Sequence, residues 1–169
     1  GEFSIDHQRA AILKDGNPVD PAADPSLMRA LLVGVLCSNA EYDHRTRSGT
    51  GDPMELALLR TGGFAGLLRG EQIRTYPEVA EHPFDTATKR MATVHRHGDD
   101  HFAAVKGAPE VVLAAADRIG VDEAALAETA RAVWLDRADQ LAAEGLRVIA
   151  VAIHPEAEPE EPVTSGLVF

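Results

Sequence analysis

Residues able to hold a small anionic ligand gather in four short stretches of the 169-residue chain: Gly51-Asp52-Pro53-Met54-Glu55, Pro83-Phe84-Asp85 through Lys89-Arg90-Met91, Lys106-Gly107-Ala108-Pro109-Glu110, and Gly145-Leu146-Arg147. Each falls at a junction between two expected elements. Strand ends and helix starts can meet on one rim of a sheet, where an exposed aromatic, a lysine beside glycine and an arginine together suit an anion attached to a flat ring. A nucleotide is such a ligand.

Each group carries a second reading. Phe84, at a strand-to-turn break, is either held out as a stacking face for a base, worth roughly 1–3 kcal/mol per base, or an ordinary core phenylalanine. Lys106 ends an alternating strand. The bare Gly107 beside it lets a ligand come close, or else the lysine snorkels from a sheet edge. Lys89 and Arg147 offer charge-assisted bonds to phosphates, or are solvated surface. Glu55, in the first turn of a helix, can accept from an exocyclic amine, although the helix dipole favours an acid there in any case. His95, His97 and His101 lie close on an expected hairpin and can be read as metal ligands or as solvent-facing side chains. Neither G-x-x-x-x-G-K-[ST] nor G-x-G-x-x-G occurs, and no nucleophile elbow is present.

The elements that must position these groups follow from periodicity and caps. Asp24-Pro25 opens a helix whose Leu27, Met28, Leu31, Leu32, Val35 and Leu36 recur at helical spacing, and Asp52-Pro53 opens a second that Gly62-Gly63 should end. A third helix is expected from Pro109 to Gly120. The fourth and longest is expected over residues 122–144, with Leu126, Ala130, Val133, Trp134, Arg137 and Leu141 on one face and Gly145 as its cap. Residues 9–13 followed by Asp15-Gly16 suggest a strand and tight turn. Residues 75–84 read as extended, residues 89–97 and 101–106 as an antiparallel hairpin, and residues 146–153 as a last strand. Clustered helices and strands, rather than strict alternation, indicate an α+β fold: a twisted antiparallel sheet flanked by helices.

Composition narrows the partners. Asp and Glu (27) outnumber Lys and Arg (16), and the net charge of -11 argues against nucleic-acid binding. The longest apolar run, residues 30–37, is far short of the roughly 20 residues that span a bilayer, so no direct membrane contact is expected of this chain. The single cysteine, Cys37, excludes an internal disulfide. Residues 1–3 read as a cloning remnant, residues 4–154 as the domain, and residues 155–169 as an acidic, proline-rich linker followed by a short apolar strand with nothing evident to pair it.

Taken in order, the four stretches resemble the nucleotide-binding domain of P-type cation-transporting ATPases, closest to the calcium-pump-like type II group. Gly51-Asp52-Pro53-Met54-Glu55-Leu56-Ala57-Leu58-Leu59 is similar to the family's G-D-P-T-E-x-A-L-L, and residues 83–91 to P-F-D-S-x-R-K-R-M. Residues 106–110 are the K-G-A-P-E stretch, and residues 145–152 are similar to G-L-R-V-L-A-V-A. His82-Pro83 superficially resembles the His-Pro pair of heavy-metal pumps, but its context argues against that subgroup.

The resemblance implies that Phe84 stacks on adenine, Lys106 with Gly107 lines the base of the pocket, Lys89 contacts the nucleotide, Glu55 meets the adenine edge and Arg147 reaches toward the phosphates. It implies ATP with Mg2+ as ligand, ADP as product, and a monomeric cytoplasmic domain of an integral membrane protein. Its partners would be the phosphorylation and actuator domains of the same parent chain. Met54 replaces the usual threonine and Thr88 a common arginine, which implies weaker hold on phosphates. The family's phosphorylated aspartate lies in a D-K-T-G-T stretch that does not occur here, so turnover by this chain alone is not expected. The remaining readings are a self-sufficient phosphotransferase and a histidine and acidic metal-binding or protein-interaction module. The transported ion is not encoded in these residues.

Overall fold

The computed structural model describes residues 2–169, so Gly1 of the expected cloning remnant lies outside the described residues. The chain divides into two compact units that meet in sequence at Thr75 and Tyr76.

In the first unit, β1 (Ser4–Asp6), β2 (Ala11–Lys14) and β3 (Asn17–Pro18) form an antiparallel sheet. Asp15 and Gly16 join β2 to β3 with φ of 52° and 77°, the doubly left-handed turn that matches strand twist. Asp24 caps α1 (Pro25–Leu36), its carboxylate accepting from the Leu27 N–H at 3.0 Å. Asp52 does the same for α2 (Pro53–Phe64) through the Met54 N–H at 2.8 Å. A short hairpin, β4 (Glu41–Asp43) and β5 (Ser48–Thr50), lies between these helices, and α3 (Arg69–Thr75) closes the unit. Val35, Ala40 and Leu59 form the core, with Tyr42, Leu56 and Leu67 packed on it.

The expected stop at Gly62-Gly63 is overturned, because α2 runs through both glycines to Phe64. A β-carbon on Gly62 would collide with Val35, and one on Gly63 with the ring of His44. These glycines are therefore bare for close packing.

The second unit is built on a seven-stranded sheet. Its strands in chain order are β6 (Glu78–Asp85), β7 (Arg90–His97), β8 (Asp100–Gly107), β9 (Ala116–Ile119), β10 (Ala124–Ala125), β11 (Ala150–His154) and β12 (Leu167–Val168). In space the order is β10-β9-β12-β11-β8-β7-β6, antiparallel throughout except for the β12–β9 pair. Two helices, α4 (Pro109–Ala115) and α5 (Glu128–Ala143), accompany it, giving the expected α+β class. One sheet face carries small residues, Ala92, Val94, Ala103, Val105, Ala150 and Ala152, and Val112 and Leu113 of α4 join them in one core.

Five expectations for this unit change. The third helix stops at Ala115, and Gly120 belongs to the turn between β9 and β10. The fourth helix begins at Glu128 rather than near 122, because Ala124 and Ala125 pair with Ile119 and Arg118, and the Leu126 N–H bonds to the Asp117 carbonyl. Its expected apolar face also turns: Ala130 and Leu135 pack on the core while Val133 and Trp134 are exposed, Trp134 meeting Phe169 edge-on at 5.2 Å between ring centroids. The last long strand begins at Ala150, not 146. Its neighbour β8 ends at Gly107, opposite Ala150, so residues 146–149 have no strand there to pair with. Finally, Leu167 and Val168 are not left unpaired. They are buried between β9 and β11.

Candidate functional site

Strand register decides which of the candidate residues meet. Asp85 pairs with Arg90, Arg90 with Gly107, and Gly107 with Ala150, forming one cross-strand row at one end of the sheet. One step inward, Met91 pairs with Lys106 and Lys106 with Val151. The 86–89 turn, the start of α4 and the segment bearing Arg147 all adjoin this end. Positions 84, 89, 106, 107 and 147, from three of the four stretches of the junction argument, thus fall at one end of this sheet. Glu55 lies in the other unit, in the first turn of α2.

Phe84 owes its exposure to a break in the ladder. The β6–β7 register shifts between His82 and Asp85, so Pro83 and Phe84 lie against the single residue Met91. Proline has no N–H for the ladder and is tolerated on an edge strand such as β6. The Phe84 side is 59% exposed, which removes the core-phenylalanine reading. Lys106 is two strand spacings from β6, roughly 10 Å by ordinary sheet geometry. It is only 4% exposed, on a strand flanked by β7 and β11, so the snorkelling edge reading is overturned. Along β7 its cross-strand partner Met91 shares a sheet face with Thr93 and His95, all buried.

The 85–90 turn is tightly organised. Asp85 accepts from the Ala87 N–H at 2.9 Å, and its carbonyl accepts from the Lys89 N–H at 2.6 Å. Lys89 has a φ of 50° and passes its own carbonyl to the Ala108 N–H at 3.0 Å, which ties the turn to the K-G-A-P-E stretch. Its ammonium donates to Glu110 Oε1 at 3.0 Å, both side chains remaining more than half exposed. The backbone N–H of Glu110 and then Lys89 hold the Glu110 carboxyl below its ordinary value, with slight desolvation opposing them. Gly107 is bare for a reason internal to the sheet: a β-carbon there would sit 2.6 Å from the Lys89 carbonyl oxygen and 2.8 Å from Arg90 Cβ. Arg147 is exposed, three residues before β11.

Glu55 is buried, and its Oε2 accepts from the Asn39 and Ala40 N–H groups, both at 2.9 Å. That carboxylate organises the loop after α1. The histidine reading fares worse. His95 is buried, its Nδ1 donating to the Tyr76 carbonyl at 3.1 Å, which leaves Nε2 to accept from the Thr93 hydroxyl at 2.8 Å. His97 packs edge-on to Tyr76. Among the described residues no group of three or more His, Cys, Asp or Glu is arranged to hold a metal.

Two features of the rim had no role assigned from sequence. The bulge at Pro83-Phe84 was signalled by its proline, but its depth depends on β7. The Lys89–Glu110 pair joins residues 21 apart, and only hairpin register and the turn after β8 bring them together.

Comparison with known proteins gives this geometry its context. The family P-type ATPase, cytoplasmic domain N, matches residues 26–169. The chain is 30% identical to the cation-transporting ATPase pma1 of Synechocystis over 165 residues, 94% of this chain and 18% of that protein. It is 36% identical over 147 residues to the probable cation-transporting ATPase F of Mycobacterium tuberculosis, covering 82% of this chain and 16% of that protein. It is also 34% identical over 141 residues to the calcium-transporting ATPase of Bacillus subtilis, covering 80% and 16% respectively. The chain thus spans less than a fifth of each of these relatives, which as whole proteins are ATP-using cation transporters by name. With most of its length matched, and with the α+β sheet the resemblance implied, the chain belongs to the cytoplasmic N-domain family of P-type cation-transporting ATPases.

Proposed function

We propose that this chain binds ATP, with adenine resting on Phe84 and the anionic tail drawn toward Lys89, Lys106 and Arg147. In the parent protein it then presents the γ-phosphate to an aspartate of a separate phosphorylation domain, and that transfer drives cation movement. The observation that carries this reading is Phe84 itself. A 59% exposed aromatic on an edge-strand bulge, at the end of the sheet whose strands and turns also carry Lys89, Lys106 and Arg147, fits a stacking face rather than a packing role. Phosphoryl transfer asks mainly for positioning and charge compensation, which a rim of cations beside a stacking ring provides. Mg2+ accompanies the triphosphate and neutralises part of its charge. Gly107 enters by letting the turn bearing Lys89 close against the end of β8, where a β-carbon would meet the Lys89 carbonyl.

A half-site of this kind binds weakly. A dissociation constant near 1 mM corresponds to about -4 kcal/mol, and loss of roughly 2 kcal/mol of stacking leaves little measurable binding. Titrating ATP into the 169-residue chain while recording amide spectra should give saturable shifts at the 84–90 and 106–110 segments, weakening as salt rises. Phe84→Ala should abolish them with the fold intact. Shifts of equal size and affinity in that variant would refute the stacking role.

A further inference from the structure

The rim holds one carboxylate where an anion is to be received. Glu110 Oε1 lies 3.0 Å from the Lys89 ammonium, so the lysine offered to a phosphate is paired with a carboxylate of its own chain. The pair is set by backbone as much as by charge. The Lys89 carbonyl takes the Ala108 N–H, and Arg90 lies opposite Gly107, which together hold the turn bearing Lys89 against the start of α4. Lys89 also stands in the left-handed region, where a non-glycine residue is uncommon, so its side chain leaves the turn in a constrained direction.

We propose that Glu110 is a specificity-determining competitor for the nucleotide's phosphate tail. Its carboxylate holds Lys89, and phosphates must take the lysine from it, so Glu110 lowers affinity for polyphosphate-bearing nucleotides while leaving recognition of the base untouched. This rests on the ATP-binding reading above. An exposed ion pair contributes up to ~1 kcal/mol, a factor of about five in affinity, and that is the size of the competition. The effect requires negative charge on the ligand, so it grows from adenosine, where it is absent, to ATP.

The test uses the 169-residue chain, its Glu110→Gln variant, a Lys89→Asn variant that keeps a residue tolerant of the left-handed backbone, and the double variant, each titrated by amide spectra with ATP and with adenosine. Glu110→Gln should bind ATP about two- to fivefold more tightly, with adenosine binding unchanged, and the gain should disappear in the Lys89→Asn background. Glu110→Asp, which keeps the acid but withdraws it by one methylene, should gain part of the same increase. Unchanged or weaker ATP binding in Glu110→Gln, with a native amide spectrum, would overturn the proposal, as would an equal gain for adenosine. A gain that persists fully without Lys89 would overturn it too, by showing a general field effect. Failure of the underlying reading has a different signature: ATP shifts in the unsubstituted chain that Phe84→Ala leaves unaltered, which would remove this proposal along with that one.

Discussion

Gly107→Ala separates two explanations for the same bare position. If Gly107 exists to admit a ligand, an added methyl should weaken nucleotide binding and leave the fold alone. The geometry argues for a cost within the sheet. The new β-carbon would lie 2.6 Å from the Lys89 carbonyl oxygen, 2.8 Å from Arg90 Cβ and 2.9 Å from Arg90 Cα. Two of these are backbone atoms, which cannot swing aside as a side-chain tip can. Either the last β7–β8 pair opens or the turn bearing Lys89 shifts outward, and overpacking of this sort costs roughly 1–3 kcal/mol. Urea unfolding followed by Trp134, the chain's one tryptophan and a residue of the second unit, measures that loss. Gly70→Ala is the control, because a β-carbon there meets only Arg74 Nη1 at 3.8 Å, and in α3 alanine should be neutral or better. A loss below about 0.5 kcal/mol for Gly107→Ala, which is the scatter of innocuous surface changes, would refute the reasoning and return the glycine to a role in ligand approach.

Two further outcomes concern the first unit. Glu55→Ala removes the acceptor of two backbone N–H groups, and at about 1.5 kcal/mol for each hydrogen bond to a charged group it should cost about 3 kcal/mol, read out as accelerated hydrogen exchange of the Asn39 and Ala40 amides. Burial lowers the pKa of His44 below its ordinary 6.5, with Asp43 opposing more weakly, so the folded state binds fewer protons there than the unfolded one. Its contribution is therefore complete above about pH 6.5 and lost as pH falls through the lower folded value. The carboxyls of Asp6 and Asp43, also lowered, add their loss only below about 4. Midpoints of urea unfolding should fall between pH 7.5 and 5 more steeply for the natural chain than for His44→Phe, which keeps a ring against Gly63 and Tyr42; parallel slopes would contradict this.

What the sequence disclosed was local. Asp24-Pro25 and Asp52-Pro53 mark helix starts because an acceptor and a preset φ act within three residues, and both caps form as read. Alternation over residues 89–97 and 101–106 specifies a hairpin for the same reason, and it forms within a residue of those bounds. Long-range facts were hidden. Gly62-Gly63 carries the signature of a helix stop, yet Val35 and His44 need that space, and only tertiary packing decides between the two. Leu167 and Val168 offer a strand composition without a visible partner, since the partners β9 and β11 are distant or adjacent only through the fold. At the site, residue types were readable, and exposure was not. Phe84 and Lys106 were each ambiguous, and opposite outcomes followed from register: the edge strand bulges and releases the ring, while the interior strand buries the lysine.

An acidic chain proposed to hold an anion poses a problem that distance resolves. The net charge of -11 is spread over the whole chain, and at physiological salt a Debye length of about 8 Å screens most of it from any one site. What the phosphates sense is therefore the charge of the rim itself, where Lys89, Arg90, Lys106 and Arg147 come from three strands and their flanking turns. Screening spares groups in direct contact, so Glu110, 3.0 Å from Lys89, opposes binding far more than the glutamates of residues 156–161, whatever their number. The same arithmetic sets an asymmetry for engineering: neutralising that acidic run should leave ATP affinity almost where it was, whereas neutralising the single carboxylate at position 110 should raise it. If the two changes acted alike, affinity would be governed by overall charge, and the case for a locally built cationic rim would fall.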